Sequence, residues 1–336
     1  MTHKQLRATR VAALATCRCV FAPLQLLVLC VSLSAQQAKH DAPSASVESP
    51  PPASREMTLA VTVTDGKGRY LGGLDKEQFT IFDGGVAREI TSFSSVGEPA
   101  SVGVLFDISG SMRARQNVIE ATRRAFVWFA QHSSPQNEYF LHAFNKNDIE
   151  LADWTQNAQV INEGLNRIAP DATPMKGSYG TAIYDACAAA LSKLASGSHR
   201  KRVLLIFTDA QPDNASRQVE FKHLKRIVRG MDALIYAVAM IERGSPTSLD
   251  YQGQAQLEDV AANSGGRAFF PDSVAELNEI VERIAIELSQ QYMISFVPVD
   301  AAKNGELNKL KVKVKTPPNI KESLYVRSRE GYFTPE

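Results

Sequence analysis

Two aspartates and a small group of hydroxyls stand where they could hold a hard cation. The apolar run Val102 to Phe106 passes directly into Asp107-Ile108-Ser109-Gly110-Ser111-Met112. A carboxylate and two hydroxyls at i, i+2 and i+4 of a turn can face one point, and Gly110 lets the backbone bend between them. All three offer oxygen, which suits Mg²⁺ or Mn²⁺. Alone, the pattern Asp-x-Ser-x-Ser also fits a helix cap, because Ser109 or Ser111 could satisfy the free N–H groups of a following helix. A second apolar run, Val203 to Phe207, ends in Thr208-Asp209, and Gly177-Ser178-Tyr179-Gly180-Thr181 forms a glycine-bearing loop before a helix.

The elements that must position these residues follow from hydrophobic periodicity. After Pro99, short apolar strands alternate with amphipathic stretches: helices over Gln116 to Ala130, Ala158 to Ile168, Thr181 to Ser196, Val219 to Arg229, Gln256 to Ala262 and Val274 to Gln290. Between them come strands at Val102 to Phe106, Glu138 to Phe144, Ile149 to Trp154, Val203 to Phe207, Ala233 to Met240 and Ala268 to Phe270. Continuous apolar strands separated by helices predict an α/β fold, a doubly wound and mostly parallel Rossmann-like sheet covered on both faces. In such sheets ligands gather outside the carboxyl ends of the strands where strand order reverses. Asp107 and Asp209 meet there if their strands are neighbours.

Both ends of the chain read differently. Met57 to Phe93 has short alternating runs broken by Asp65-Gly66 and Asp83-Gly84-Gly85, and the tail has strands at Tyr292 to Pro298, Leu310 to Lys315 and Leu324 to Ser328. Neither half has enough strands to stand alone, so the two flanks are expected to pair into one small β module. The organisation expected is a leader at 1–35, a linker at 36–56, β segments at 57–98 and 291–336, and the α/β domain at 99–290.

The order Asp107-x-Ser109-x-Ser111, then Thr181 in Gly-Thr-Ala-Ile-Tyr-Asp, then Asp209 after an apolar strand resembles the von Willebrand factor A-type (vWA) domain with its metal-ion-dependent adhesion site. The flanks, with Val61-Thr62-Val63-Thr64-Asp65 and Arg329-Glu330-Gly331-Tyr332-Phe333, resemble exported bacterial proteins built around such a domain. The resemblance implies Mg²⁺ or Mn²⁺ held by Ser109, Ser111 and Thr181, with Asp107 and Asp209 acting mainly through water. It also implies a partner protein that supplies an Asp or Glu carboxylate to the metal, with no bond made or broken. Ala210 departs from the family, where Gly commonly follows the Asp; the change removes no ligand.

Composition bounds the rest. The 336 residues are 44% hydrophobic and 22% charged, which excludes a chain disordered throughout. Lys4, Arg7, Arg10 and Arg18, no acid, and the apolar run Val20 to Leu33 have the form of a secretory signal, so a secreted or periplasmic, cell-envelope location is expected. Membrane association would follow only if that leader were kept. Its removal takes 37 basic residues to 33 against 36 acidic, a net charge of −3, and Cys17, Cys19 and Cys30 leave with it. Cys187 then has no partner for a disulfide.

Other features read as structural. Asp185 is expected to support the site from outside or to be solvated, and Cys187 to be a small buried hydrophobe. The basic clusters His199 to Arg202 and Lys222 to Arg229 read as solvated faces, since no aromatic interleaving or nucleic-acid motif accompanies them. Lys309, Lys311, Lys313 and Lys315 alternate with apolar residues, as on a strand that resists edge pairing. No nucleic acid and no small-molecule substrate are expected. There is no Gly-x-Ser-x-Gly elbow, phosphate loop or dinucleotide fingerprint. A haloacid-dehalogenase-like phosphotransferase would need an Asp where Ser109 stands. A metal-independent scaffold is the remaining alternative to a metal-dependent binding protein.

Overall fold

Val102, Val104, Leu105 and Phe106 are all fully buried because their strand lies mid-sheet with helices on both sides. A computed structural model describes residues 56–95, 97–168, 181–211, 218–241, 246–298, 306–318 and 320–333. The expected leader with its three cysteines, the linker up to residue 55 and the glycine loop at 177–180 lie outside the described residues.

The N-terminal flank holds β1 (Met57–Thr64), β2 (Phe79–Asp83), β3 (Val86–Arg88) and β4 (Ile90–Ser94). Then follow β5 (Ala100–Asp107), α1 (Gly110–Ala114), α2 (Gln116–His132), β6 (Glu138–Phe144), β7 (Asp148–Thr155), α3 (Ala158–Asn166) and α4 (Ile183–Leu194). The second half of the domain has β8 (Lys201–Thr208), α5 (Phe221–Gly230), β9 (Leu234–Ala239), α6 (Ser248–Ser264), β10 (Arg267–Phe269) and α7 (Leu277–Ser289). The C-terminal flank adds β11 (Tyr292–Phe296), β12 (Leu307–Val314), β13 (Tyr325–Arg327) and β14 (Gly331–Phe333).

The central sheet has the order β10-β9-β8-β5-β6-β7. All its pairs are parallel except the β6–β7 hairpin, as the sequence led us to expect. Side chains alternate between its faces. Val102, Val104 and Phe106 pack with Phe126 and Phe129 of α2 and Val281 and Ile284 of α7. Leu105, Leu204 and Ile206 pack with Cys187 and Leu191 of α4, Leu224 of α5 and Leu257 of α6. Each such burial stabilises the fold by about 1.5–3 kcal/mol. Gly103 is required at its place: a Cβ there would lie 2.4 Å from the Phe140 ring on β6.

The two flanks interleave. β1 pairs antiparallel with β11, Met57 opposite Phe296 and Val61 opposite Tyr292, giving a sheet β13-β1-β11-β4. β2 pairs with β12 in a second sheet, β14-β12-β2-β3, so the module is two sheets sharing one core. The Phe79 and Tyr292 rings, one from each flank, meet there at 4.9 Å between centroids. β14 is an addition to the expected strands.

Conserving the junction between module and α/β domain falls to buried charge. Arg329, 4% exposed, donates to the Met231 carbonyl and to Asp232 Oδ1, each at 2.8 Å. Arg327 donates to the carbonyls of Gly265 and Gly266 at the end of α6 and pairs with buried Glu287 on α7. Glu287 also accepts from the hydroxyls of Tyr236 and Tyr70. One basic cluster departs from its expected solvated face: Lys201 is buried, its ammonium donating to the carbonyls of Leu288 at 2.7 Å and Glu98 at 3.2 Å. It opens β8, where register forces it between the sheet and α7. Among the described residues no helix is long and apolar enough to cross a membrane.

Candidate metal centre

β5 and β8 are neighbours, with Phe106 opposite Phe207, so Asp107 and the Thr208-Asp209 pair end side by side. This is the strand-order reversal: from β5 the chain runs outward through β6 and β7, then returns to lay β8 on the other side of β5.

Asp107 is fully buried, and each of its oxygens is held. Oδ1 accepts the Ser109 N–H at 2.8 Å and Oδ2 accepts the Thr208 hydroxyl at 2.6 Å. Ser109 is buried and its Oγ lies 3.2 Å from that of Ser111 in the first turn of α1. Asp209 is 2% exposed; its Oδ1 accepts the Gln211 N–H at 3.4 Å, and its Oδ2 is buried with no hydrogen-bond partner among the described residues. Both carboxyls are pushed above the ordinary range, first by burial. For Asp107 the Asp209 charge adds to the rise, while Thr208 and Ser109 offset part of it. For Asp209 the Ser111 hydroxyl, the Gln211 amide and the Arg115 charge pull the other way.

Thr181 is buried at the start of α4 and reaches the same edge of the sheet by a different route. The Ala182 N–H donates to the Asn145 carbonyl at 2.7 Å, and Asn145 follows Phe144, whose carbonyl accepts the Ile108 N–H at 2.8 Å. Asp107, Ser109, Ser111 and Asp209 therefore form one cluster, with Thr181 placed beside it through β6.

The donor set fits a hard divalent cation. It is all oxygen, it brings two carboxylates that together balance a divalent charge, and among the described residues it leaves a buried carboxylate oxygen without a proton donor. Among the described residues, no group of three or more His, Cys, Asp or Glu offers a softer metal another site. His142 instead lies against Asp148 at 3.0 Å.

Several supporting residues escaped the sequence reading. Thr208 accepts the Ala210 N–H at 3.1 Å while donating to Asp107, tying the two strand ends together. Gln211 donates to Asp250 at 2.9 Å, and Asp250 caps α6 with Thr247, so the backbone just after Asp209 is tied to that helix at Gln211. The Arg115 guanidinium donates to the Met240 carbonyl at 2.6 Å, which keeps its charge at the site. Ala210 has φ 62°, the only positive φ at a non-glycine among the described residues, which is why glycine suits this position. Asp185 accepts the Val219 N–H at 2.7 Å and so ties α4 to the residues that lead into α5. Cys187 is buried and its thiol is pushed up to about 12 by desolvation, as suits a packing residue.

An open, mostly parallel sheet with helices on both faces defines a doubly wound α/β domain, and the oxygen-lined cluster lies at its strand-order reversal, where such folds can place a ligand. Residues 102–211 match the von Willebrand factor type A domain family, and the chain is a vWA-domain protein. Among solved structures it is similar to BatB from Bacteroides thetaiotaomicron at 17% identity and a TM-score of 0.43, covering 56% of this chain and 98% of that one. It is also similar to the vWF domain of the type V pili tip protein Mfa5 from Porphyromonas gingivalis, at 10% identity and a TM-score of 0.43 over 58% and 97% of the two chains. A third is the PilB minor pilin from Streptococcus sanguinis, at 12% identity and a TM-score of 0.44 over 59% and 62%. No curated protein matches the chain.

Proposed function

We propose that this is an exported protein of the cell envelope that binds a partner protein through a divalent metal, Mg²⁺ or Mn²⁺, held by Asp107, Ser109, Ser111, Thr181 and Asp209. The observation that carries the reading is the buried Oδ2 of Asp209, without a hydrogen-bond partner among the described residues, within a cluster of two carboxylates and two hydroxyls. Such an arrangement is costly without a cation and favourable with one. Hydroxyl ligands leave the metal able to accept a carboxylate from the partner, and this is the chemistry it supplies. Nothing in the cluster activates water or a nucleophile: Asp107 has both oxygens engaged, and Ser109 stands where a general acid would be needed. The role is therefore binding and assembly rather than catalysis.

Thermal unfolding with and without millimolar Mg²⁺ tests this, since a ligand specific to the folded state raises the melting temperature by mass action. The wild type is expected to shift upward and Asp107→Ala not to shift. Capture of envelope proteins in magnesium but not in chelator is the matching functional result. Equal shifts in both proteins would remove the assignment.

A further inference from the structure

A cleft of about 560 Å³ opens where the first sheet of the β module meets the α/β domain. One wall follows from register: Thr62 and Thr64 of β1 lie opposite Arg327 and Tyr325 of β13, and Val63 and Val326 between them turn into the module core. The four therefore share the sheet's other face. Arg267, which opens β10, and Arg283 of α7 line the cleft from the α/β domain. Glu287 shows how the arginines converge. It pairs with Arg327, lies one helical turn after Arg283, and accepts from Tyr236, the residue opposite Arg267 in the central sheet.

Charge and hydrogen-bonding capacity in the cleft are one-sided. Among the described residues that line it there are three guanidiniums and no carboxylate. Glu287, behind them, is engaged by Arg327 and by the hydroxyls of Tyr236 and Tyr70. At the Gly68 end, Lys67 and Arg69 offset Glu322 at 3.6 and 3.7 Å. Arg283 is paired with Glu279, but the two side chains are 49% and 72% exposed, and such pairs are weak. Arg267 forms no ion pair with a described carboxylate and lies 5.9 Å over the Phe269 ring. Thr62 is 3% exposed; its hydroxyl accepts from Gln291 at 3.2 Å, and no described residue accepts its proton. Burial and then the Glu287 charge push the Tyr70 hydroxyl up to about 12, and the charges of Arg267 and Arg327 offset part of that rise, so both stand near it. The lining offers donors and lacks a charged acceptor.

We propose that this cleft binds a soluble phosphate ester, its phosphoryl group held by Arg267, Arg283 and the Thr62 and Thr64 hydroxyls, and its organic part against the Tyr325 ring. A phosphoryl group suits the lining better than a carboxylate, because its three terminal oxygens accept from several directions and it carries up to two charges. Arginine forks hold such oxygens in pairs. The volume is that of a small-molecule site, larger than a lone phosphate needs, and Tyr325, 61% exposed, offers a ring at the rim. The concave shape suits a soluble ester and not a flat bilayer. Converging cations do not track the backbone of a nucleic-acid strand. The ester is held and not turned over, since no carboxylate, histidine or thiol of the described lining stands ready as base or nucleophile. None of these residues belongs to the metal centre, so binding does not depend on metal.

The test is isothermal titration calorimetry of the metal-free full chain with phenyl phosphate at low salt. Saturable binding at one site is expected. The Arg267→Gln/Arg283→Gln variant, with an unchanged melting temperature, should weaken it by about tenfold or more, and each single change by about threefold or more. Lys311→Gln, which removes a cation outside the cleft, should leave it unchanged. Tyr325→Ala should weaken binding of phenyl phosphate and not of inorganic phosphate. The proposal is overturned by no saturable binding, by folded arginine variants that bind as well as the wild type, or by equal weakening in Lys311→Gln. Benzoate bound as tightly as phenyl phosphate, or phosphatidic acid vesicles bound where phenyl phosphate is not, would overturn it too. Loss of binding in Asp107→Ala would assign the ester to the metal centre and likewise overturn it.

Discussion

Asp209→Asn separates the stability of the site from its metal chemistry. In the metal-free protein Asp209 contributes a buried carboxylate with one unpartnered oxygen beside a second buried carboxylate, and both are pushed toward the protonated form. An uncompensated buried polar group costs about 1–3 kcal/mol, more when charged. Asparagine keeps the shape, keeps an acceptor for the Gln211 N–H and removes the charge. In chelator at neutral pH the variant should therefore be more stable than the wild type by about 1–3 kcal/mol, a rise in melting temperature of about 2–10 °C for a domain of this size. In excess Mg²⁺ the order should reverse. The wild type gains about 2.7 kcal/mol at a metal concentration one hundred times Kd, while the variant gains little. Differential scanning calorimetry in chelator and in magnesium reads both effects. A variant less stable than the wild type in chelator, or equally stabilised by Mg²⁺, would refute the argument that the unpartnered oxygen awaits a cation.

Three further outcomes follow. The raised carboxyls of Asp107 and Asp209 bind protons more tightly when folded, so their contribution to metal-free stability is lost as pH rises from about 4 through the raised values; the wild type should lose stability relative to Asp209→Asn over that interval, and Mg²⁺ should suppress the loss. Parallel melting curves across pH check this, and a constant difference would contradict it. Burial lowers the Lys201 ammonium to about 8, so the unfolded chain binds the extra proton; stability of the wild type relative to Lys201→Met should rise between pH 8 and the ordinary lysine value of 10.5. Ala210 sits at φ 62° and is buried, so Ala210→Val should cost about 2 kcal/mol or more by denaturant titration, whereas Ala210→Gly should be within about 1 kcal/mol of neutral because relief of strain offsets added chain entropy.

The central sheet was legible because β5, β8 and β9 are covered on both faces and are apolar at nearly every position. The helices were legible where one face is apolar, and misjudged where it is not. α6 begins at Ser248, well before the expected Gln256, because its polar first half is set by the Thr247–Asp250 capping box rather than by periodicity. The pairing of the two flanks could be anticipated from strand number, since neither half suffices alone, but their division into two sheets depends on registers that the spacing of apolar residues does not specify. Asp107, Ser109, Ser111 and Asp209 could be singled out because their residue types are unusual at strand ends. Thr208, Gln211 and Arg115 could not: each acts on a residue distant in sequence, and their roles appear only once β5 and β8 are known to be adjacent. Lys201 misled for the same reason, since a basic run looks solvated until the register of β8 turns one member inward.

The proposed divalent cation would be held among Asp107, Ser109, Ser111, Thr181 and Asp209. Anomalous scattering from crystals of the protein grown with Mn²⁺ tests it most directly. A single strong anomalous peak is expected within bonding distance of the Ser109 and Ser111 hydroxyls, and none in Asp209→Asn. Full-strength diffraction with no peak at this cluster, or with the peak elsewhere on the molecule, would contradict it.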